Sequence, residues 1–378
     1  MNISVGMIPL FPKNVHQMST SVVQKALKGQ TLTLEEGKTL YRLPLTTLMQ
    51  TAHTLRLQKT PKNLVTWQID RNVNITNVCQ CRCKFCNFHT TLKNKRAYIT
   101  PLENYKQKID ELISLHGDQL LIQGGMHPDL GLDFYTDLFM QLKAYAPNIK
   151  LHALGPPEVV FLANKEGLTY EQTLDELVTA GMDSLPGAGA EILDDRVRKI
   201  VSPAKATTDQ WLEVMRIAHK KHMLTSATMM FGHVETIDER LKHLIHIREL
   251  QAEKPKEAPG FKAFIPWPFQ PKNTILQKRY DIQSPANAME YVRMIAISRI
   301  MLPNIDNIQA SWLTVGKEVG QLCLFAGAND LGSIMIEEHV VSQAGATHTL
   351  NANGMLDLIQ SAGFTPQLRD QHYHYREL

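Results

Sequence analysis

The chain has 378 residues, 43% of them hydrophobic, enough for one large or two ordinary domains with a sizeable core. Lysine and arginine number 40 against 37 aspartates and glutamates, a formal charge of +3 that is too balanced for a nucleic-acid or membrane-surface partner. No apolar run reaches the roughly 18 residues of a membrane span, and Met1–Gly6 lacks a basic, then apolar, secretory signal, so a cytoplasmic protein with reduced thiols is expected.

Residues 1–60 read as an N-terminal helical extension. Val22, Val23, Ala26 and Leu27 share a helical face, and Thr33 with Glu36 three positions later is a capping-box signal before a second helix. Leu43, Leu45 and Leu48 continue the apolar pattern. From Leu64 onward, short apolar runs alternate with helical stretches of ten or more residues. The strand candidates are Leu64–Ile69, Gln119–Ile122, Ile149–His152, Met182–Leu185, Leu224–Met229, Phe261–Ile265, Ile305–Ser311 and Ala328–Asp330. Strict alternation argues a parallel sheet, and eight repeats argue an α/β fold closed as a (β/α)8 TIM-type barrel over residues 61–345. Residues 346–378, with Met355, Leu356 and Ile359 on one helical face, are expected to form a C-terminal tail packed on the barrel.

Directly after the first strand, four of the five cysteines fall within Cys79-Gln80-Cys81-Arg82-Cys83-Lys84-Phe85-Cys86. Cys79, Cys83 and Cys86 spell C-x3-C-x2-C. Three thiolates at that spacing suit three corners of a 4Fe–4S cluster and leave one iron open. An open iron beside S-adenosylmethionine is a starting point for radical chemistry. A structural zinc site would need a second ligand pair, and Cys323 is the only other cysteine, although His89 stands near enough to be considered. A disulfide framework does not suit a chain of this length. Cys81 fits the spacing less well and reads as a spare thiol.

In a barrel of this kind the chemistry collects at the C-terminal ends of the strands. Gln123-Gly124-Gly125 follows the second strand and lets the backbone approach a ligand, here the amino and carboxylate groups of S-adenosylmethionine. Phe85 offers its backbone to an adenine, and Ser184, Glu191 and Met229 are the further cofactor-binding candidates. His233 and Glu235, beyond the fifth strand, are the candidate proton-moving pair. Trp267, Gln270, Gln309, Ser311, Asn329, Asp330 and Ser333, with Glu337 beyond, are expected on the rim as substrate contacts. Amides and hydroxyls without a basic patch suit a polyhydroxylated, weakly charged small molecule.

The cysteine loop resembles that of the radical S-adenosylmethionine enzymes. Further stretches narrow the resemblance: Ile69-Asp70-Arg71-Asn72, Gly189-Ala190-Glu191-Ile192, Ala227–Thr236, Phe264-Ile265-Pro266-Trp267, Asn307–Trp312 and Gly327-Ala328-Asn329-Asp330. They are similar to the cyclic dehypoxanthinyl futalosine synthase family of the futalosine route to menaquinone. The resemblance implies a 4Fe–4S cluster on Cys79, Cys83 and Cys86, and S-adenosylmethionine as source of a 5′-deoxyadenosyl radical. It further implies removal of the ribose 4′ hydrogen of dehypoxanthine futalosine before spiro-cyclisation, and an external one-electron reductant such as flavodoxin or ferredoxin. Aminofutalosine synthase and the deazaflavin-cofactor synthases share the barrel and the cysteines. An electron-transfer iron–sulfur protein would instead need four cysteine ligands and no large cavity.

Overall fold

The structure, a computed structural model, describes residues 13–60, 63–282, 286–334, 336 and 348–378. Among the described residues there are ten strands: β1 (Leu64–Gln68), β2 (Asp70–Asn74), β3 (Gln119–Gln123), β4 (Lys150–Ala153), β5 (Ser184–Leu185), β6 (Leu224–Phe231), β7 (Gly260–Pro268), β8 (Asn307–Ile308), β9 (Asp330–Ser333) and β10 (Thr365–Leu368). Strands β2 to β8 form one parallel sheet in sequence order, and β10-β1-β9 form another. The two meet twice. At one seam β1 runs into β2 across Ile69. At the other, Asn329 N–H donates to Ile308 C=O and Ala310 N–H to Asp330 C=O, joining β9 to β8. These contacts complete an eight-membered parallel ring of the TIM type, with β1 and β2 as two halves of one bent strand.

The bend has a cause in pairing. β1 lies between β9 and β10, whereas β2 pairs with β3 in register from Asp70–Gln119 to Asn74–Gln123. The first strand therefore continues five residues beyond the expected end at Ile69. Polar residues hid that continuation: Asp70, Asn72 and Asn74 line the interior cavity, while Val73 packs into the outer core and Arg71 pairs with Glu111. The seventh strand shrinks to two residues. The eighth begins at Asp330 rather than ending there, which moves Asp330 from the end of the strand to its start and Ser333 from the expected loop into the strand.

Helices Lys13–Leu27, Leu34–Arg42 and Leu45–Lys59 form the N-terminal extension, the last two packing on helix Ala288–Met301. The expected capping box at Thr33/Glu36 is made, and Thr207 with Gln210 forms another at the start of helix Thr208–Lys220. Arg56, fully buried, donates to Ala328 C=O at 2.8 Å and Leu64 C=O at 2.7 Å, tying this layer to the N-terminal ends of β9 and β1. The tail contributes helix Ala352–Ser361 and then β10, which pairs with β1. Glu337 lies outside the described residues, and among the described residues no helix is long and apolar enough to cross a membrane.

Candidate active site

One cavity of about 420 Å³ runs inside the ring. Cys79, Cys83 and Cys86 line its mouth, together with Phe85, Gln123, Gly124 and Gly125. The cysteine loop is fixed by backbone. Cys79 N–H donates to Thr90 C=O, Gln80 N–H to Met126 C=O and Lys84 N–H to Val201 C=O. Gly125 is required by a close approach: a Cβ there would lie 2.1 Å from Val78 O and 2.9 Å from Cys79 Cβ. Cys81 is turned away, its thiol 3.1 Å from Met126 Sδ and 3.5 Å from Ala204 O. Its hydrogen bond with Cys79, reinforced by burial, pushes the Cys81 thiol strongly up and lowers Cys79 to about 5. Among the described residues no three His, Cys, Asp or Glu side chains converge on a single metal ion. Three thiols spread along one wall, with a glycine passage beside them, fit a multi-iron cube that takes one thiolate per corner.

Next to the cysteines sits a buried charged group. Lys205 Nζ donates to Glu191 Oε1 at 2.9 Å and lies 5.5 Å from the Phe85 ring centroid. Burial alone would depress this ammonium, but Cys83, Glu191 and Glu158 hold it well above its ordinary value. Burial pushes the Glu158 carboxyl up to about 7 against the pull of Lys205. Glu158 belongs to the first turn of helix Pro156–Glu166 and lines the cavity. Arg82, Leu154 and Glu191, all near this mouth, have left-handed backbone conformations that ordinary side chains seldom adopt.

The floor is made differently. Arg369, just after β10, donates from Nε to Asp330 Oδ2 at 2.7 Å and also reaches Gln68. Gln68 Nε2 donates in turn to Asp70 Oδ2 at 2.9 Å. Nearby, Ser184 Oγ donates to Gln371 Oε1 at 2.7 Å and is hydrogen-bonded to His152 Nδ1 at 2.7 Å. Burial, with the Arg369 charge adding to it, lowers His152 to about 3, so the imidazole is neutral.

The cavity thus gathers Phe85, Gln123, Gly124, Gly125, Glu191, Trp267, Gln309, Ser311 and Ser333 around the three cysteines. Other expected residues stand elsewhere. Ser184 opens β5 and bonds Gln371 at the floor, outside the cavity lining. Met229 points outward from β6, because its inward neighbours are Ser226 and Thr228. Gln270 Nε2 donates to Pro268 C=O outside the lining. Asn329 precedes β9 at the opposite end, where its amide meets Arg299, Thr60 and Asn307. Asp330 supports Arg369 from behind. His233 and Glu235 have fully buried side chains outside the lining. Glu235 accepts from Gly232 N–H, His233 N–H and Arg240; burial alone would raise its carboxyl, but the His233 ring, Arg240 and the Gly232 N–H together hold it well below the usual range. His233 bonds Met230 O and Val234 N–H. This pair folds its loop and does not face the cavity.

Sequence reasoning missed Asp70, Asn72, Asn74, Glu158, Lys205, Arg369 and Gln371. The first three carried a signal, the period-2 pattern of Asp70-Arg71-Asn72-Val73-Asn74; the others are brought in by tertiary structure alone.

Two family models match the chain: the radical SAM superfamily over residues 73–247, and the CofH/MqnC C-terminal region over 258–378. The chain is 41% identical to a cyclic dehypoxanthine futalosine synthase of Streptomyces coelicolor, covering 94% of this chain and 88% of that protein. It is also 41% identical to that of Halalkalibacterium halodurans, with 93% of each covered. A 5-amino-6-(D-ribitylamino)uracil–L-tyrosine 4-hydroxyphenyl transferase of Archaeoglobus fulgidus is 40% identical over 82% of this chain and 88% of its own. Among solved structures, methylornithine synthase shares the fold with a TM-score of 0.70 at 17% identity, covering 93% and 98% of the two chains. The chain is a radical S-adenosylmethionine enzyme of the CofH/MqnC type, a family that works with a 4Fe–4S cluster and S-adenosylmethionine.

Proposed function

We propose that this enzyme cyclises dehypoxanthine futalosine to cyclic dehypoxanthine futalosine. The observation that carries the reading is 41% identity to two such synthases through both the cysteine half and the C-terminal half. The C-terminal half supplies Trp267, Gln309, Ser311, Arg369 and Gln371, the substrate end of the cavity. When bound, the cluster and S-adenosylmethionine supply a 5′-deoxyadenosyl radical that takes the ribose 4′ hydrogen. The chain's own residues do the rest. Cys79, Cys83 and Cys86 hold the cluster, and Gln123, Gly124 and Gly125 present backbone to the methionine end. Glu191 and Phe85, held by Lys205, border the adenosine position. The closed floor excludes water and stray hydrogen donors, and the ring walls orient the sugar. A one-electron donor such as flavodoxin or ferredoxin would serve as reductant.

The transferase relative favours a second reading, in which a 4-hydroxyphenyl group moves from L-tyrosine to 5-amino-6-(D-ribitylamino)uracil. Anaerobic incubation of the reconstituted enzyme with dithionite, S-adenosylmethionine and each substrate set, followed by mass spectrometry, separates them. Cyclic product with stoichiometric 5′-deoxyadenosine is expected from dehypoxanthine futalosine. Product only from tyrosine plus the ribitylaminouracil would replace the first reading with the second.

A further inference from the structure

The interior of a TIM-type barrel is ordinarily packed with layers of branched apolar side chains. Here β2 turns a polar column inward instead, Asp70, Asn72 and Asn74, all in the cavity wall. Asn72 and Asn74 are 4% and 5% exposed. Among the described residues, neither the oxygen nor the nitrogen of the Asn74 amide, nor the oxygen of the Asn72 amide, has a hydrogen-bond partner. Asp70 shares this only in part: its Oδ2 accepts from Gln68 and Gln119, while its Oδ1 has no partner among the described residues. Buried amides left without partners weaken a fold, so a pair of them aimed into a cavity is better explained by a ligand than by packing.

We propose that Asn72 and Asn74 form a recognition ladder for an uncharged, hydroxyl-bearing part of the substrate, a sugar or sugar alcohol. The chemistry of the amide selects that class. Each amide both donates and accepts, as a hydroxyl does. A phosphate or carboxylate would leave the amide oxygens facing anionic oxygen, and an ammonium would leave the amide nitrogens facing N–H. Register places the ladder below the cofactor end: Asn74 pairs with Gln123, next to Gly124 and Gly125, and Asn72 pairs with Leu121 one step deeper. β6, which stands across the ring from β2 in the strand order, turns Ser226 and Thr228 inward, and its neighbour β7 brings Ile265 and Trp267 to the same side. A ligand with a hydroxylated side and a flat apolar side fits between them. The inference rests on the reading that the cavity takes a sugar-bearing small molecule, and it deepens that reading by naming the groups that hold the sugar.

The test uses full-length reconstituted enzyme with Asn72→Leu, Asn74→Leu and Asn74→Asp. Dissociation constants are measured for dehypoxanthine futalosine and, separately, for 5-amino-6-(D-ribitylamino)uracil, alongside thermal melting without ligand. With whichever of the two the wild type binds, each Leu variant is expected to bind about tenfold to a hundredfold more weakly, the range for one or two lost hydrogen bonds. Their melting temperatures should equal or exceed the wild-type value, because a purely structural amide would instead lose stability on replacement. Asn74→Asp keeps an acceptor and should fall between. Unchanged affinity in both Leu variants, as when the amides hold only water, overturns the ladder, and so does a drop in melting temperature with affinity intact. Binding of the ribitylaminouracil alone, weakened by the same variants, would keep the ladder while discarding cyclisation; binding of neither compound discards both.

Discussion

Both ends of the cavity are polar, yet backbone holds the mouth and side chains hold the floor. At the mouth, successive residues of one loop carry the cysteines, main-chain hydrogen bonds to Thr90, Met126 and Val201 fix it, and a glycine lets the next strand pass. At the floor, Gln68, Asp70, His152, Ser184, Asp330, Arg369 and Gln371 come from separate elements and lock one another through charge and hydrogen bonds. The difference teaches what each end is for. A mouth fixed by backbone tolerates exchange of bound groups without rearranging, whereas a floor of interlocked side chains is rigid and lines the lower end of the cavity.

The sharpest way to break that contrast is at the cysteines. Replacing Cys79, Cys83 or Cys86 by Ala should abolish cluster binding and activity, whereas Cys81→Ala should retain both, scored by iron content and visible absorbance. Gly125→Ala should join the losers, since its Cβ would meet Val78 O at 2.1 Å. Equal losses for Cys81→Ala and Cys83→Ala would remove the backbone-held mouth from the comparison.

At the floor, Arg369→Met leaves Asp330 buried without its cation. The expected cost is about 3–5 kcal/mol in urea unfolding, the size typical of breaking a buried pair from one side. A loss under ~1 kcal/mol would mean that the floor is not locked.

A third measurement reads His152. Its folded-state value of about 3 lies below the ordinary 6.5, so between those values unfolding takes up a proton. Its contribution to stability is present above pH 6.5 and is lost as pH falls toward 3. The loss approaches 1.4 kcal/mol per pH unit, roughly one proton's worth. His152→Asn should flatten the wild-type dependence of unfolding free energy on pH across that window. An identical slope in the variant would place the titration elsewhere.

The smallest effect is expected at the loop after β6. His233→Gln should cost about 1 kcal/mol of stability through its lost backbone hydrogen bonds, with the ratio of product to 5′-deoxyadenosine unchanged. A selective fall in product would return this loop to the chemistry.

The mouth was legible in the sequence because its chemistry is contiguous: three thiols within eight residues and a pair of glycines one strand later. The eight-strand ring was legible too, since apolar runs and helical faces alternate along the chain. The floor was not. Arg369 and Gln371 look like tail residues until β10 pairs with β1. His152 and Ser184 meet only because β4 and β5 are neighbours in register. Strand ends were misjudged where inward positions are polar, as in β2, and this put Asn329 and Asp330 on the rim instead of near the floor. His233 and Glu235 misled for a related reason. A His and a Glu two apart after a strand suggest proton transfer, but the carboxylate is consumed by Gly232 N–H, His233 N–H and Arg240.

The pairing of Thr365 with Leu64 joins the first strand of the ring to one of its latest parts. On the ribosome, every strand from β1 to β9 emerges before the segment that carries Arg369 and Gln371. A nascent ring is therefore a tube open at its lower end, with Asp330 and Gln68 still wet. Contacts of such long sequence separation form late and slowly. Sealing of the tube thus waits on the segment around β10: a chain that lacks it can present its cysteines, yet it cannot keep solvent out of the chamber behind them.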